Sequence, residues 1–317
     1  MAQYDVVTIG SAVLDIFMQS DKFKVVSSGD IPGGIAMCEV YGGKMEVEEV
    51  TIVSGGGATN CAVSFAKKEL STAVIAEMGN DPQALLVHRD LEEVGVDTRF
   101  LVQEQDETTA VSVILIAQDG GRSIMVHRGA SAMLTKHDVP LDDLEARWMH
   151  ISSLGGNMDL LKTILTWAKQ KRVRVSLNPG LKEIEQKDKL LTYLSDVEIL
   201  FLNRDEAKLL WGIDYSDDAL WTSPQALPGA RVTVITDGAR GGKASIEGKV
   251  QFFPGEKVKH VVDTTGAGDA FASGMVAGVL YGKSYEQALG WGIKNATAVL
   301  AYVGAKKGLL TLGQINR

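Results

Sequence analysis

The chain alternates short apolar runs with longer segments whose apolar residues recur at helical spacing. Residues 6–10 form an apolar run that ends at a glycine, and residues 58–70 follow a glycine loop with the spacing of a helix. Short apolar runs indicate buried strands, and the helical period indicates a helix packed by one face. Further strands are predicted at 72–77, 148–152, 173–177, 198–202 and 232–236, and further helices at 82–94, 160–170 and 206–211. This alternation predicts a mostly parallel sheet covered by helices on both faces.

Two segments interrupt the alternation. Residues 17–53 and 109–126 carry turn signals at glycine pairs, among them 33–34 and 120–121, between runs that are typical of strands. We expect these two segments to form a small β-rich lid. Because no internal repeat, low-complexity segment or proline-rich linker separates the elements, residues 1–317 are predicted to form a single domain.

Composition narrows the function classes. The 317 residues are 45% hydrophobic and 23% charged with a net charge of −8, which indicates a globular protein without the basic face of a nucleic-acid binder. Residues 1–17 contain no Lys or Arg, unlike a signal peptide, and no apolar run reaches membrane length. Cys38 and Cys61 have neither metal-binding nor disulfide spacing and are predicted to be buried free thiols. We therefore expect a cytoplasmic protein with no membrane or nucleic-acid partner.

The segment 263–269, Asp-Thr-Thr-Gly-Ala-Gly-Asp, precedes an apolar run at 270–280 that predicts a buried helix. Its small residues lie at the unpaired N–H groups of the first turn, where the helix dipole favours an anion such as phosphate. Asp269 would repel that anion, so its expected use is to take a proton from a hydroxyl that attacks phosphorus. The alternative is an ordinary helix start, at which the carboxylate only stabilises the positive end of the dipole.

Four elements in register resemble the ribokinase-like, or PfkB, carbohydrate kinases over nearly the whole chain. The segment 263–269 resembles the C-terminal signature of that family, and Gly-Gly-Gly-Ala-Thr-Asn at 55–60 resembles its N-terminal one. Residues 203–206 are similar to its Asn-x-x-Glu element, and residues 236–241 resemble its nucleotide loop. The resemblance implies a ribokinase-like three-layer α/β sandwich with a small β-rich lid. It also implies an ATP-dependent phosphotransferase that acts on a hydroxyl of a sugar.

The resemblance assigns roles to single residues on the acceptor side. It implies that Asp269 is the base. It also implies that the N–H groups of Gly266, Ala267 and Gly268 stabilise the transferred phosphoryl group. The residues that it implies for the acceptor pocket are Asp15, Gly56, Gly57 and Asn60. A carboxylate at position 15 can accept hydrogen bonds from two neighbouring sugar hydroxyls. The alternatives are an exposed loop acid for Asp15 and a cap or turn residue for Asn60.

On the nucleotide side the resemblance implies ATP, Mg²⁺ and, in some members, K⁺. The residues implied for the nucleotide are Asn203, Thr236, Gly238, Gly241 and Asn295. Glu206 would act on Mg²⁺ through water, and Asp263 and Thr265 would hold the monovalent cation. Three alternatives stay open: Asn203 and Glu206 form only a capping box, Asp263 only anchors its turn, and Asn295 is a surface residue of a helix.

The acceptor and the assembly are less well determined by the sequence. A nucleoside such as adenosine is the alternative to a free sugar, with lid side chains near Phe17 stacking on its base. Arg128 is either a contact to a phosphate on the substrate or, as we favour, a solvated charge at the base of the lid. A family member that binds nucleotide or sugar without turnover is a further alternative. The exposed strand edges of the lid also predict a homodimer.

Overall fold

A computed structural model of the chain describes residues 3–31, 34–38, 41–119, 121–215, 221, 223, 227–256, 258 and 260–317. Its strands are β1 (Tyr4–Ile9), β2 (Val13–Gln19), β3 (Lys24–Ser27), β4 (Ile35–Cys38), β5 (Glu49–Gly55), β6 (Thr72–Gly79), β7 (Asp97–Glu104), β8 (Ala110–Ile116), β9 (Arg122–His127), β10 (Ala146–Ile151), β11 (Arg174–Leu177), β12 (Ile199–Asn203), β13 (Val232–Thr236), β14 (Gly242–Ile246) and β15 (Lys249–Phe253). Its α-helices are α1 (Gly57–Ala66), α2 (Pro82–Glu92), α3 (Met158–Lys171), α4 (Leu181–Ile184), α5 (Lys187–Tyr193), α6 (Arg204–Trp211), α7 (Ala267–Leu280), α8 (Tyr285–Val299) and α9 (Leu312–Ile315). The predicted alternation of strands and helices is confirmed.

Within these ranges, nine strands form a central sheet in the order β15-β14-β13-β12-β11-β10-β1-β6-β7. The strands from β13 to β7 pair in parallel, and β14 and β15 extend the sheet in antiparallel pairing. Every residue of β6 is buried, as expected for a parallel strand covered on both faces. The prediction of a mostly parallel central sheet is confirmed.

Helices cover both faces of this sheet. Val6 and Val7 are adjacent in β1 and fully buried, yet they belong to different apolar clusters. Because neighbouring side chains of a strand lie on opposite faces, these two clusters lie on opposite faces of the sheet. The cluster of Val7 includes residues of α3, α5 and α6, and the cluster of Val6 includes residues of α7 and α8. The molecule is therefore the expected three-layer sandwich.

A second sheet forms the predicted lid. Among the described residues it contains four strands in the order β5-β2-β8-β9. Strand β2 pairs antiparallel with β5 and parallel with β8, which pairs antiparallel with β9. Strands β3 and β4 form a separate ribbon. The lid sheet begins at Val13, before the predicted start at residue 17, and continues to His127. Gly33 and Gly120, in the predicted turns, lie outside the described residues.

Small residues in α7 allow α8 to pack against its backbone. A Cβ added to Gly274 would lie 2.8 Å from Trp291 O, and one added to Gly278 would lie 3.0 Å from Ala288 Cα. Larger side chains at either position would push the two helices apart. From Ala270 onward, α7 is buried along its length. This packing fixes the position of the N-terminus of α7, where segment 263–269 ends.

Burial and helix length bear on two expectations from composition. Cys61 is buried in α1, whereas Cys38 ends the exposed strand β4, so the prediction that both thiols are buried is wrong for Cys38. Both cysteines are free. In the part of the chain that the structure describes, no helix combines the length and apolar character needed to cross a membrane.

Candidate active site

Helix α7 begins at a turn that favours glycine. Its N-cap residue, Gly266, has a φ of 73°, in the left-handed region. A Cβ there would also lie 2.2 Å from Ala305 Cβ, so the turn rests on the loop after α8. Among the described residues, the N–H groups of Gly266 and Gly268 have no backbone acceptor, whereas that of Ala267 donates a long bond of 3.3 Å to Thr264 O. Two of the three N–H groups expected to bind an anion are therefore free of such bonds.

Asp269 lies in the first turn of α7, beside an asparagine of α1. Asn60 Nδ2 donates to Asp269 Oδ2 at 2.8 Å. Burial raises the pKa of Asp269 from 3.8 to about 6; the bond from Asn60 and the charge of Lys306 act to lower it, and the charge of Asp15 acts to raise it. A carboxyl with this pKa is mostly ionised at neutral pH and is a stronger base than an ordinary aspartate. Position and pKa therefore both suit proton transfer.

The glycine loop before α1 passes close to its neighbours. A Cβ added to Gly56, which has a φ of 98°, would lie 2.5 Å from Ser11 O. A Cβ added to Gly57 would lie 3.8 Å from Asp269 Oδ1, so this backbone borders the carboxylate. Asn60 Oδ1 is buried and accepts no hydrogen bond from any described residue. Because buried polar atoms usually have a partner, this oxygen is suited to accept a hydrogen bond from a ligand.

Asp15 lies within the lid strand β2 and is 7% exposed. The alternative of an exposed loop acid is therefore wrong. A Cβ added to Gly55 would lie 2.0 Å from Asp15 Oδ2, so the glycine lets this carboxylate lie against the loop. Burial raises the pKa of Asp15, against the hydrogen bond with Ser112 and the charge of Lys306. Asp15 is close enough to Asp269 for its charge to raise the pKa of Asp269.

Lys306 is a half-buried residue of this site that sequence reasoning missed. Its ammonium donates to Ser54 Oγ, which in turn donates to Asp90 Oδ2 at 2.7 Å. Burial lowers the pKa of Lys306 to about 8, although the charges of Asp90, Asp15 and Asp269 act to raise it. One lysine in a loop gives no signal in the sequence. Its role becomes visible only when the fold brings the loop after α8 against the lid.

A groove of about 560 Å³ lies beside the start of α7. It is lined by Thr236, Gly238, Ala239, Gly241, Phe253, Pro254, Gly255, Glu256, Val258, Val261, Thr264, Ala267, Gly268, Phe271, Ile293, Ala296, Thr297 and Leu300. The predicted residues Thr236, Gly238 and Gly241 are thus brought together. Phe253 and Phe271 stack at 5.7 Å between ring centroids. Sequence reasoning missed this apolar wall, because it is assembled from segments distant along the chain.

Asn295 is not part of the groove, which corrects the prediction that it contacts adenine. The residue is fully buried in the core, so it is not a surface residue either. Asn295 Nδ2 donates to Ser64 Oγ at 3.1 Å and to Ala270 O at 2.7 Å. Asn295 Oδ1 accepts from Lys68 Nζ at 3.2 Å and from Leu310 N at 3.0 Å. The amide is therefore fully used in joining α8 to α1, α7 and the C-terminal segment.

Asn203 and Glu206 form a capping box at the start of α6. Asn203 Oδ1 accepts from Glu206 N, and Glu206 Oε2 accepts from Asn203 N, both at 2.8 Å. The capping box is therefore present, and it is compatible with a second role for either residue. Neither residue is among the described lining of the groove. Burial raises the pKa of Glu206, the bonds with Asn203 lower it, and the charges of Asp205 and Asp269 raise it. The carboxylate of Glu206 thus lies among other negative charges, where a cation would be stabilised.

Asp263 joins two loops through its carboxylate, which is 3% exposed. Oδ1 accepts from Thr265 N at 3.0 Å, from Thr265 Oγ1 at 2.8 Å and from the guanidinium of Arg122 at 3.0 Å, and Oδ2 accepts from Gly304 N at 3.0 Å. A guanidinium in contact with Oδ1 would repel a second cation. These residues therefore do not fit the potassium ion that the resemblance implied. They favour the alternative that Asp263 anchors its turn.

Structures of known proteins share this architecture. The adenosine kinase of Sinorhizobium meliloti is 22% identical with a TM-score of 0.79, over 100% of this chain and 99% of that chain. A ribokinase from Cryptococcus neoformans, solved with ADP, is 24% identical with a TM-score of 0.78, over 99% of each chain. These likenesses show that the fold is the ribokinase-like fold.

Sequence comparison identifies the family. A cytidine kinase from Thermococcus kodakarensis is 29% identical over 306 residues, which are 93% of this chain and 96% of that protein. A ribokinase from Haemophilus influenzae is 27% identical over 268 residues, 82% of this chain and 85% of that protein. The family model described as pfkB family carbohydrate kinase matches residues 4–312. The chain therefore belongs to the pfkB family of carbohydrate kinases.

Proposed function

We propose that the protein is an ATP-dependent kinase that transfers the γ-phosphoryl group to a hydroxyl of a sugar or sugar-like ring, with Asp269 as the base. The observation that carries this proposal is the position of Asp269. Its carboxylate lies in the first turn of α7, beside the free N–H groups of Gly266 and Gly268 and bonded to Asn60. This arrangement combines a base with an anion-binding helix start, as phosphoryl transfer to an alcohol requires.

The acceptor would be held between the lid and α1. Asp15 accepts hydrogen bonds from ring hydroxyls, and Asn60 Oδ1, which has no partner among the described residues, accepts another. The hydroxyl nearest Asp269 loses its proton to that carboxylate while its oxygen forms a bond to the γ-phosphorus. The bond from phosphorus to the leaving oxygen breaks, and ADP departs. The backbone of Gly56 and Gly57 completes the pocket, because glycine lets the hydroxyls reach the main chain.

The groove beside α7 fits the nucleotide. Its wall includes the stacked rings of Phe253 and Phe271, which suit the planar base of ATP. Thr236, Gly238 and Gly241 would contact the ribose and the phosphates. Mg²⁺, when bound, neutralises charge on the phosphates. Glu206 would hold this ion through water, which is supported by the negative charges that raise its pKa. Asn203 would hold the Glu206 carboxylate in place through the hydrogen bond from its backbone N–H.

A nucleoside is the second candidate acceptor. The relative from Thermococcus kodakarensis, a cytidine kinase, supports it. The expected stacking involves lid side chains near Phe17, and Phe17 itself is not available for it. Its ring is buried, and a Cβ added to Gly304 would lie 3.9 Å from Phe17 Cε2 and 2.9 Å from Val53 Cγ2. Phe17 thus packs between the lid and the loop after α8, so a base would need another partner. We therefore propose a free sugar first.

The proposal also covers catalysis, location, domain organisation and assembly. A non-catalytic role is disfavoured, because Asp269 and the helix start are intact. The free, exposed thiol of Cys38 is compatible with the reducing cytoplasm, and the net charge of −8 argues against nucleic-acid partners. We regard residues 1–317 as one catalytic domain. The exposed apolar residues of the lid strands, such as Ile52 and Met125, would pair two copies in a homodimer.

Release of ADP from ATP and Mg²⁺ tests the function. The acceptor panel contains ribose, fructose, other hexoses, 6-phospho-sugars, adenosine, cytidine and other nucleosides. We expect turnover with one acceptor class, loss of turnover when a chelator removes Mg²⁺, and a new phosphate ester on the acceptor by mass spectrometry. The exposed Asp142→Asn is the matched control for Asp269→Asn. Binding of ATP without turnover of any acceptor would contradict the proposed activity and favour the non-catalytic reading.

A further inference from the structure

An ion pair joins the lid to the turn that precedes α7. Arg122, the first residue of the lid strand β9, donates to Asp263 Oδ1 at 3.0 Å and to Thr264 Oγ1 at 2.5 Å. The Arg122 side chain is 38% exposed, whereas that of Asp263 is 3% exposed. Thr264 lines the nucleotide groove. The guanidinium therefore contacts both the carboxylate inside the turn and the rim of the groove.

The carboxylate of Asp263 determines the shape of this turn. One oxygen holds Thr265 through its N–H and its hydroxyl, and the other holds the N–H of Gly304. The two loops are also in contact one residue further along each, because the backbone of Gly266 lies against Ala305. The N–H groups proposed to stabilise the transferred phosphoryl follow directly. Their positions therefore depend on this carboxylate keeping its place and its hydrogen bonds.

A nearly buried carboxylate needs a positive charge close by. Uncharged donors stabilise Asp263 only partly, since desolvation of an unpaired charge costs far more than one hydrogen bond returns. Arg122 supplies that charge from a position 141 residues away along the chain. The planar fork of a guanidinium suits two adjacent acceptors, which here are the oxygens of Asp263 and Thr264.

We infer that Arg122 is a positioning residue that supplies, from the lid, the cation that Asp263 requires, so that the enzyme works without a monovalent metal ion at this turn. The inference rests on the proposed kinase activity. The role is distinct from that of a surface ion pair, which would only add a little stability. It couples the lid strand β9 to the helix start that would stabilise the transferred phosphoryl group, so loss of Arg122 would move the N–H donors through its contacts with Asp263 and Thr264.

The test compares Arg122→Gln with Arg122→Lys and with Arg147→Gln. Arg147 pairs with Asp5 at 2.7 Å at the other end of the strands, so it is a matched loss of an arginine–carboxylate pair. Turnover is measured at equal ionic strength in tetramethylammonium, potassium, sodium or dilute guanidinium chloride. We expect wild-type and Arg147→Gln enzymes to be insensitive to the salt. In tetramethylammonium, kcat of Arg122→Gln should fall by about tenfold or more, as for misplaced catalytic groups.

Restoration of activity by an added cation would show that Arg122 acts by positioning Asp263. A cation from solvent should occupy the position that Arg122→Gln vacates, so potassium or guanidinium should restore several-fold of the lost kcat, and Arg122→Lys should keep part of it in every salt. A wild-type enzyme that needs potassium would overturn the inference, and so would an Arg122→Gln enzyme equal to wild type in every salt. Affinity for a fluorescent ATP analogue is measured in the same salts. If no acceptor is turned over, the proposed function fails, and the same pattern in nucleotide affinity still decides for or against Arg122.

Discussion

Replacement of Asp269 by Asn should remove activity and make the folded protein more stable. Asp269 is the proposed base, and general base catalysis contributes about 10²–10⁴-fold to rates. Its carboxylate accepts from Asn60 Nδ2 at 2.8 Å, a contact that an asparagine side-chain oxygen can keep. We therefore expect an intact pocket with kcat lower by about that factor. An ordinary structural aspartate would give the opposite result for stability.

The gain in stability follows from the pKa of Asp269, which is raised from 3.8 to about 6. Because the folded state holds the proton more tightly than the unfolded state, this carboxyl favours folding most below pH about 4, and the benefit is lost as the pH rises through about 6. Above that pH the ionised form costs up to about 3 kcal/mol, for a difference of about two pH units at 1.36 kcal/mol each. Residual contact with solvent reduces this to about 1–2 kcal/mol.

Thermal unfolding of Asp269→Asn checks this magnitude. At pH 8 the melting temperature should rise by about 2 °C per kcal/mol, and at pH 5, where the folded carboxyl is mostly protonated, the gain should be about half as large. The exposed Asp142→Asn control should change neither melting temperature nor turnover. Equal stability of Asp269→Asn and wild type at both pH values would refute the cost of the buried charge. Turnover within a few-fold of wild type would refute the role of base.

Three further predictions follow from the same site. In the wild type, kcat/KM should rise with pH up to about 6 and then level off. Asn60→Ala removes a hydrogen bond that lowers the pKa of Asp269, so the rise in kcat/KM should occur at a pH about one unit higher. Gly266→Ala, at a φ of 73°, should cost about 2 kcal/mol or more in denaturant unfolding, whereas Gly268→Ala, with open space around its Cβ, should fold normally and raise the KM for ATP. Asn295→Leu should cost about 2–4 kcal/mol and leave the KM for ATP unchanged.

Much of the fold could be predicted from local pattern. The parallel strands are buried on both faces, so they appear as continuous apolar runs such as 232–236, and the helix at 270–280 is marked by small apolar residues. The lid was predicted from turn signals, but its sheet begins earlier, at Val13. A glycine and a strand start at 10–13 give no local signal that the chain leaves one sheet for another. That change of sheet depends on contacts between segments that are distant in the sequence.

The site could be predicted only where a motif carries the chemistry. Asp269 lies in the segment 263–269, whose residue pattern is recognisable in the sequence, so its role could be predicted. Lys306 and Arg122 act through contacts with distant segments, at the lid and at the turn before α7, and neither belongs to a recognisable spacing. Asn295 was misassigned because the resemblance carried a nucleotide role over to its position. Its amide here satisfies Lys68 and backbone groups in the core.

The acceptor pocket holds charges that weaken the folded state until a substrate arrives. Burial raises the pKa of both Asp15 and Asp269 and lowers that of Lys306, so each group is held in its charged form at a cost. Lys306 reduces the cost for both carboxyls, since its charge lowers their pKa values. Hydroxyls of an acceptor would add hydrogen bonds to Asp15, which is only 7% exposed and so has little contact with water. Acceptor binding should therefore stabilise the protein most at a pH where both carboxyls are ionised.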